Sequence, residues 1–192
     1  MIEVLYHDVT APCGQPADVM LSALQKFIRR GKTEDAARAA YELYLCGEEL
    51  REYAWSRLLV ISAEDIGQGS PAAPVVVQAL MEAAARIGAD APDYPVFLVQ
   101  AVRYLCSCRK ERGASILSSV IKRRIRDKEP FLIPDYVFDM HTIAGQQMGR
   151  EYAHFANEAA KVAPQMLQSA EDFASGMRLE EELKRRREEA NE

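Results

Sequence analysis

Apolar residues recur at three- and four-residue intervals along most of the chain, and strand-like alternation is nearly absent. That period fits one face of a helix and no face of a strand, so the sequence predicts an all-α fold. Glycine and proline divide the pattern into pieces. Asp18 is the predicted N-cap of a first helix whose apolar face is Met20, Leu21, Leu24, Phe27 and Ile28, stopped by Gly31. Thr33 caps a second, with Glu34 and Asp35 in the first turn and Gly47 as its stop. A third carries Leu50, Tyr53, Ala54, Trp55, Leu58 and Ile61 and ends near Gly67. A fourth starts at Ser70-Pro71 and runs to Gly88, a fifth opens at Asp93-Tyr94-Pro95, and a sixth spans roughly Gly113 to Arg126. Connections this short place successive helices antiparallel, which makes an array of αα-hairpins.

A break follows at Glu129-Pro130 to Pro134. Helical signals return from about His141 to Val162 and again from Pro164. The last stretch, Arg178 to Glu192, pairs Glu180 with Lys184, Glu181 with Arg185 and Glu182 with Arg186 at i,i+4 spacing, which describes a solvated helix or a frayed tail. The predicted organisation is an N-terminal arm over 1–17, extended from Ile2 to Tyr6, and a helical domain over 18–128. A helical extension packed on that domain occupies 129–177, and a charged tail 178–192.

No apolar run approaches the ~20 residues that a spanning helix needs, and the first residues have neither a basic region nor an apolar one of the secretory kind. The expected address is the cytoplasm, with no membrane partner. Cys13 and Cys46 stand alone and Cys106-x-Cys108 has no second pair, so reduced, mostly buried thiols are expected rather than a zinc site, and no cofactor. Gly31-Lys32-Thr33 looks like the end of a phosphate-binding loop, but the glycine required five residues earlier is Lys26, inside an apolar-faced helix. The triplet reads as a helix stop followed by a helix start. No other catalytic motif appears, and the chain is expected to be no ATPase.

Net charge is −5, which excludes a uniformly basic nucleic-acid binder, yet positive charge is concentrated at Arg109, Lys110, Arg112, Lys122, Arg123, Arg124 and Arg126. This cluster is either a DNA-binding surface or a solvated face balanced by the excess acid. Asp139, His141 and Arg150 form a second constellation, Asp-x-His-Thr-x-x-Gly-x-x-x-Gly-Arg. It reads as helix capping with Gly145 and Gly149 allowing close approach to a neighbouring helix. The alternatives are a ligand site, or a small metal or hydrolytic enzyme centred on Asp139, His141 and His154. On one continuous helix His141 and His154 would face apart.

Residues 18–126 carry a family resemblance. Ser22-Ala23-Leu24, Lys26, Ile28-Arg29-Arg30-Gly31 and Asp35-Ala36-Ala37 resemble the stretch "SALxKxIRGSDPDAA" of the RarA/MgsA family, AAA+ ATPases of replication and recombination that include the Werner-helicase-interacting protein. Gly47-Glu48, with the run from Arg57 through Glu64-Asp65 to Gly67, is similar to "GEDP…RRLVxxASEDIG", and Pro95 to Leu105 resembles "PLAQAxxYLA". The family's "APKSN" is here Cys108-Arg109-Lys110-Glu111-Arg112. The resemblance implies the helical fold of clamp-loader oligomerisation domains and self-assembly, most simply as a tetramer. It also implies work beside a separate AAA+ ATPase in DNA replication, recombination or repair. Within the matched block, Arg57, Glu64, Asp65 and Gly67 are expected to be structural. Adjacent helical residues diverge by ~100°, so Glu64 and Asp65 are read as capping a neighbouring helix or accepting a buried arginine such as Arg57, rather than as an acid/base pair. The wide apolar arcs of the third and fourth helices leave surplus surface for either a large core or a second subunit.

Overall fold

The computed structural model describes residues 6–164 and, in the tail, Arg178, Glu182, Arg185, Arg186 and Glu189. The expected extended segment over 2–5 and most of the stretch after Pro164 lie outside the described residues. All regular elements described are helical; the only ladder contact among them is an isolated bridge between Thr10 and Pro16. The chain divides into two compact units, Met1–Glu129 and Pro130–Glu192.

The first unit holds α1 (Ala17–Arg29), α2 (Thr33–Leu45), α3 (Glu48–Ile61), α4 (Ala73–Ile87), α5 (Tyr94–Ser107) and α6 (Gly113–Arg126). α1 with α2 and α4 with α5 form the αα-hairpins that the short connections predict. Their turns follow from backbone chemistry. Gly31 takes φ +65, and Lys32 N–H donates back to the Phe27 carbonyl at 3.0 Å, closing the first helix in the left-handed manner. Gly31-Lys32-Thr33 is therefore the link between two helices.

Three predicted caps are displaced. α1 begins at Ala17 with Pro16 in the cap position, so Asp18 lies inside the first turn and caps nothing. Lys32 precedes α2, so Thr33 is the first residue of the helix rather than its cap. The proline in the first turn of α4 is Pro74, while Pro71 lies in the preceding turn.

The core is formed by Leu24 and Ile28 of α1, Leu43 of α2, Trp55, Leu58 and Ile61 of α3, and Leu98 and Leu105 of α5, all fully buried. Trp55 satisfies its buried indole N–H by donating to the Tyr94 hydroxyl at 2.9 Å. Tyr94 stacks on Tyr44 with centroids 5.6 Å apart, and the Arg51 guanidinium lies 5.5 Å from the Tyr94 centroid. α3 packs against α1, α2, α4 and α5. Its wide apolar arc is absorbed by this central position: of the predicted surplus only Val60 remains exposed.

The second unit is less regular than predicted. In place of a helix from His141 to Val162 it has α7 (Ile143–Gln147), α8 (Tyr152–His154) and a π turn (Phe155–Ala159). Gly149, at φ +71, breaks the run. The expected Glu182–Arg186 pair is present at 2.5 Å; the other two predicted tail pairs involve residues outside those described. Among the described residues no helix is long and apolar enough to cross a membrane.

Candidate functional site: a carboxylate–arginine knot and an uncovered helix

α3 does not stop at Ile61. It widens into a π turn, Ser62–Ile66, and then a short 3-10 turn, Gly67–Gly69. The π turn holds Glu64 and Asp65, the latter fully buried. Arg29, from the last turn of α1, places Nε 2.5 Å from Asp65 Oδ1 and Nη2 3.1 Å from Glu64 Oε1. Arg112, just before α6, repeats the geometry at 3.1 and 3.3 Å. Each guanidinium fork thus spans both carboxylates, an arrangement that lysine's single ammonium does not offer. Adjacent helical residues do diverge, but the two arginines approach from different elements and bridge the divergence. Glu64 and Asp65 act as a pair through their partners.

Arg57 is not the arginine they accept. Its Nη2 donates to Gln25 Oε1 at 2.7 Å, and Gln25 Nε2 donates to Asp65 Oδ2 at 2.8 Å and Glu64 Oε2 at 3.1 Å. Arg57 therefore orients the glutamine rather than neutralising a carboxylate. Two carboxylates facing two guanidiniums leave no unbalanced charge at the centre, which suits a buried structural anchor.

The same turn grips the approach to α6. Glu111 N–H donates to the Asp65 carbonyl at 2.9 Å, and the Glu111 carboxylate accepts from Gln68 N–H at 3.2 Å and from Gly113 N–H at the start of α6. This close approach explains Gly67: at φ +49, any Cβ there would lie 2.5 Å from Glu111 Oε2. Gly69 faces the Arg109 carbonyl in the same way. Lys110 donates to the Cys106 carbonyl at 2.9 Å and so belongs to this anchor too.

Beyond its anchored start, α6 contains no buried residue. Ile116, Leu117, Val120, Ile121 and Ile125 share one half of its circumference, and Ile116, Leu117 and Ile125 are 61%, 59% and 73% exposed. Ser115, Ser119, Lys122, Arg123 and Arg126 occupy the opposite side. The seven-residue basic cluster read from the sequence is therefore two things. Arg109, Lys110 and Arg112 lie on the anchoring loop, while Lys122, Arg123, Arg124 and Arg126 lie in the C-terminal half of α6, Arg124 among the apolar residues and the other three on the opposite side. There Arg124 pairs with Glu129 at 3.3 Å and Arg126 with Asp127 at 2.8 Å.

In the second unit, Asp139 holds His141 from both oxygens: Oδ1 accepts the His141 backbone N–H at 2.9 Å, and Oδ2 lies 3.0 Å from Nδ1. These bonds keep the Asp139 carboxyl below the usual carboxylate range. The His141 ring also meets Phe155 edge-on, with centroids 5.0 Å apart. Thr142 caps α7 by accepting from Gly145 N–H at 3.0 Å. Gly145 is needed because the Asp139 backbone crosses directly over it, so its close neighbour is the preceding turn and not another helix. Arg150 is engaged elsewhere: it donates to the Asp135 and Phe138 carbonyls at 2.6 and 2.9 Å, pairs with the Asp135 carboxylate, and contacts His154 Nε2 at 3.0 Å. The Arg150 hydrogen bond, with its charge as a smaller contribution, holds the Asp135 carboxyl low. His141 and His154 sit on separate short elements, so the single-helix argument about their facing does not apply. Among the described residues no group of three or more His, Cys, Asp or Glu side chains is arranged to hold a metal ion.

Sequence reasoning missed Gln25, Arg29 and Glu111. Arg29 stands within the "IRRG" block and was legible as part of that motif; nothing local marks Glu111.

The chain is similar to known proteins over most of its length. The family model described as MgsA AAA+ ATPase C terminal matches residues 34–190. The replication-associated recombination protein A of Bacillus subtilis is 33% identical over 131 residues, covering 68% of this chain and 30% of that protein. The protein of the same description from Haemophilus influenzae is 28% identical over 139 residues, covering 70% and 30%. An uncharacterised AAA domain-containing protein of Mycobacterium tuberculosis is 26% identical over 139 residues, with the same coverage. The chain spans about 30% of the length of these relatives. With the family model covering most of its residues, this chain belongs to the MgsA AAA+ ATPase C-terminal family.

Proposed function

We propose that this chain is a non-catalytic, self-assembling helical domain that works beside a separate AAA+ ATPase in DNA replication, recombination or repair. The observation that carries the self-assembly is α6: an amphipathic helix fixed at its start by the carboxylate–arginine knot, with its apolar face exposed. A contiguous apolar face rimmed by charge is characteristic of a protein contact surface. The setting in replication and recombination is supported by the names of the relatives from Haemophilus influenzae and Bacillus subtilis. Light scattering on the full chain across micromolar concentrations tests the assembly. A mass of several times 21.5 kDa, four copies being the expected number, supports it; a monomer throughout overturns it.

A second reading rests on the other side of α6, where Lys122, Arg123 and Arg126 line up with Ser115 and Ser119 as groups suited to phosphate. DNA bound there should be released steeply by salt, because counterion release drives such binding. Anisotropy titration of single- and double-stranded oligonucleotides with the wild type and Lys122→Glu/Arg123→Glu tests it; equal binding by both proteins removes this face from consideration.

A further inference from the structure

Of the four cysteines Cys13 alone is exposed; Cys46 and Cys108 are half-buried and Cys106 is buried. Cys13 lies at the tip of the loop before α1, where Ala11 N–H donates to the Gln15 carbonyl at 2.9 Å and Gly14 N–H to the Ala11 carbonyl at 2.8 Å. Residues 12–15 are exposed throughout, and Gly14 turns the tip at φ +83. Two contacts lay Cys13 against the α1–α2 hairpin. Its N–H donates to Glu42 Oε2 at 2.9 Å, and its thiol lies 3.7 Å from Met20 Sδ. Cys46, in the cap position of α2, stands one turn beyond Glu42 on the same side of the helix, and its thiol donates to the Glu42 carbonyl at 3.2 Å. One residue, Glu42, therefore holds both cysteines. Burial pushes the Cys46 thiol up, with smaller contributions from Glu42 and from Cys13 itself.

We propose that Cys13 is a thiol-modification site for low-molecular-weight disulfides of the glutathione class, and that Cys46 resolves the adduct into a Cys13–Cys46 disulfide. In the first step the Cys13 thiolate attacks one sulfur of the oxidant, whose S–S bond breaks and whose other half leaves as a thiolate. In the second, Cys46 loses its proton to water and attacks Cys13 Sγ; the mixed disulfide breaks and the second half leaves as a thiolate. The oxidant, after taking up two protons, becomes two thiols, and the chain loses two hydrogen atoms. Exposure makes Cys13 the thiol that meets the oxidant, while the raised Cys46 stays protonated until a neighbouring sulfur is activated. Cys106 is likewise pushed up by burial, and the Cys108 thiol is held on the Tyr104 carbonyl at 3.2 Å. Bridged cysteines need Cα atoms within about 7 Å, and the unpacked tip at Gly14 supplies the movement that brings Cys13 from Glu42 to its neighbour one turn away. Residues 13 and 46 bracket α1 and α2, so the bond staples that hairpin by restricting the unfolded chain. An exposed disulfide is readily reduced, which makes the staple reversible.

The full chain, incubated with glutathione disulfide and digested without reduction, tests this by mass spectrometry. The wild type is expected to yield a Cys13–Cys46 cross-linked peptide, with the intact chain lighter by two hydrogen atoms. Cys46→Ser is expected to stop at the first step and retain one glutathionyl group on Cys13, and Cys13→Ser to take up neither modification. The oxidised wild type should melt at a higher temperature than the reduced form and return on reduction, while the melt of Cys13→Ser ignores the oxidant. Glutathione carried on Cys46 or Cys108 in preference to Cys13 overturns the assignment of the site. A wild type that retains glutathione on Cys13 as Cys46→Ser does overturns the resolving role of Cys46.

Discussion

Replacing Asp65 with alanine tests whether the π turn is the anchor of the first unit. Asp65 is fully buried, accepts from Arg29 Nε and Gln25 Nε2 at 2.5 and 2.8 Å, and pairs with Arg112 Nε at 3.1 Å. Its arginine partners keep 27% and 45% of their side-chain exposure, so on losing the carboxylate they turn partly to water and to Glu64. Each charged hydrogen bond contributes roughly 1.5–3 kcal/mol, and partial rehydration offsets much of the sum, leaving a net loss of about 3 kcal/mol. Glu64 makes a similar number of contacts but is 27% exposed, and its truncation should cost only about 1 kcal/mol. In urea, with a slope of about 2 kcal/mol per molar, Asp65→Ala should lower the midpoint of the first unit by about 1.5 M and Glu64→Ala by about 0.5 M. Circular dichroism and Trp55 fluorescence follow the transition. If Asp65→Ala shifts the midpoint no more than Glu64→Ala, the buried carboxylate is not the centre of the knot and the argument fails.

Gly69→Ala should destabilise the first unit by about 1–3 kcal/mol, because the added methyl meets the Arg109 backbone rather than a movable side chain; an unchanged melting temperature would contradict this. In the second unit the Asp135 and Asp139 carboxyls are both held low in the folded state, Asp135 chiefly by the Arg150 bond and Asp139 by the His141 bonds. Their contribution is complete above the ordinary carboxylate value of about 3.9 and is lost as pH falls through the lower folded values. Asp139→Asn should therefore melt at a lower temperature than the wild type at pH 6, with the difference shrinking below pH 4; a constant difference by scanning calorimetry would refute the assignment.

Periodicity located all six helices of the first unit, because each carries an apolar face, buried in the core in all but α6, and glycine or proline marks their ends. Gly31, Gly47, Gly67 and Gly88 take positive φ where the pattern stops. Some finer assignments failed. Thr33 is a sound cap by local rules, yet the helix takes it in as its first residue and leaves Lys32 in the cap position. Arg57 was the nearest cation to Glu64 and Asp65 in sequence, yet Arg29 and Arg112, some 35 residues to one side and 48 to the other, reach the same carboxylates through the fold. The second unit was harder to read, since Thr142, Gly145 and Gly149 fit a helix about as well as the tight turns they form.

What the sequence determined by itself was the class of fold, the helix boundaries of the first unit to within about a turn, and the amphipathic character of α6; these depend on spacing, and spacing is local. Only the tertiary structure decided which apolar faces are consumed. The wide arc of α3 vanishes into the core because four helices surround it, while the narrower stripe of α6 remains exposed because the knot at Asp65 anchors only its beginning. Burial depends on which elements meet, and that is set by contacts between residues far apart in the chain.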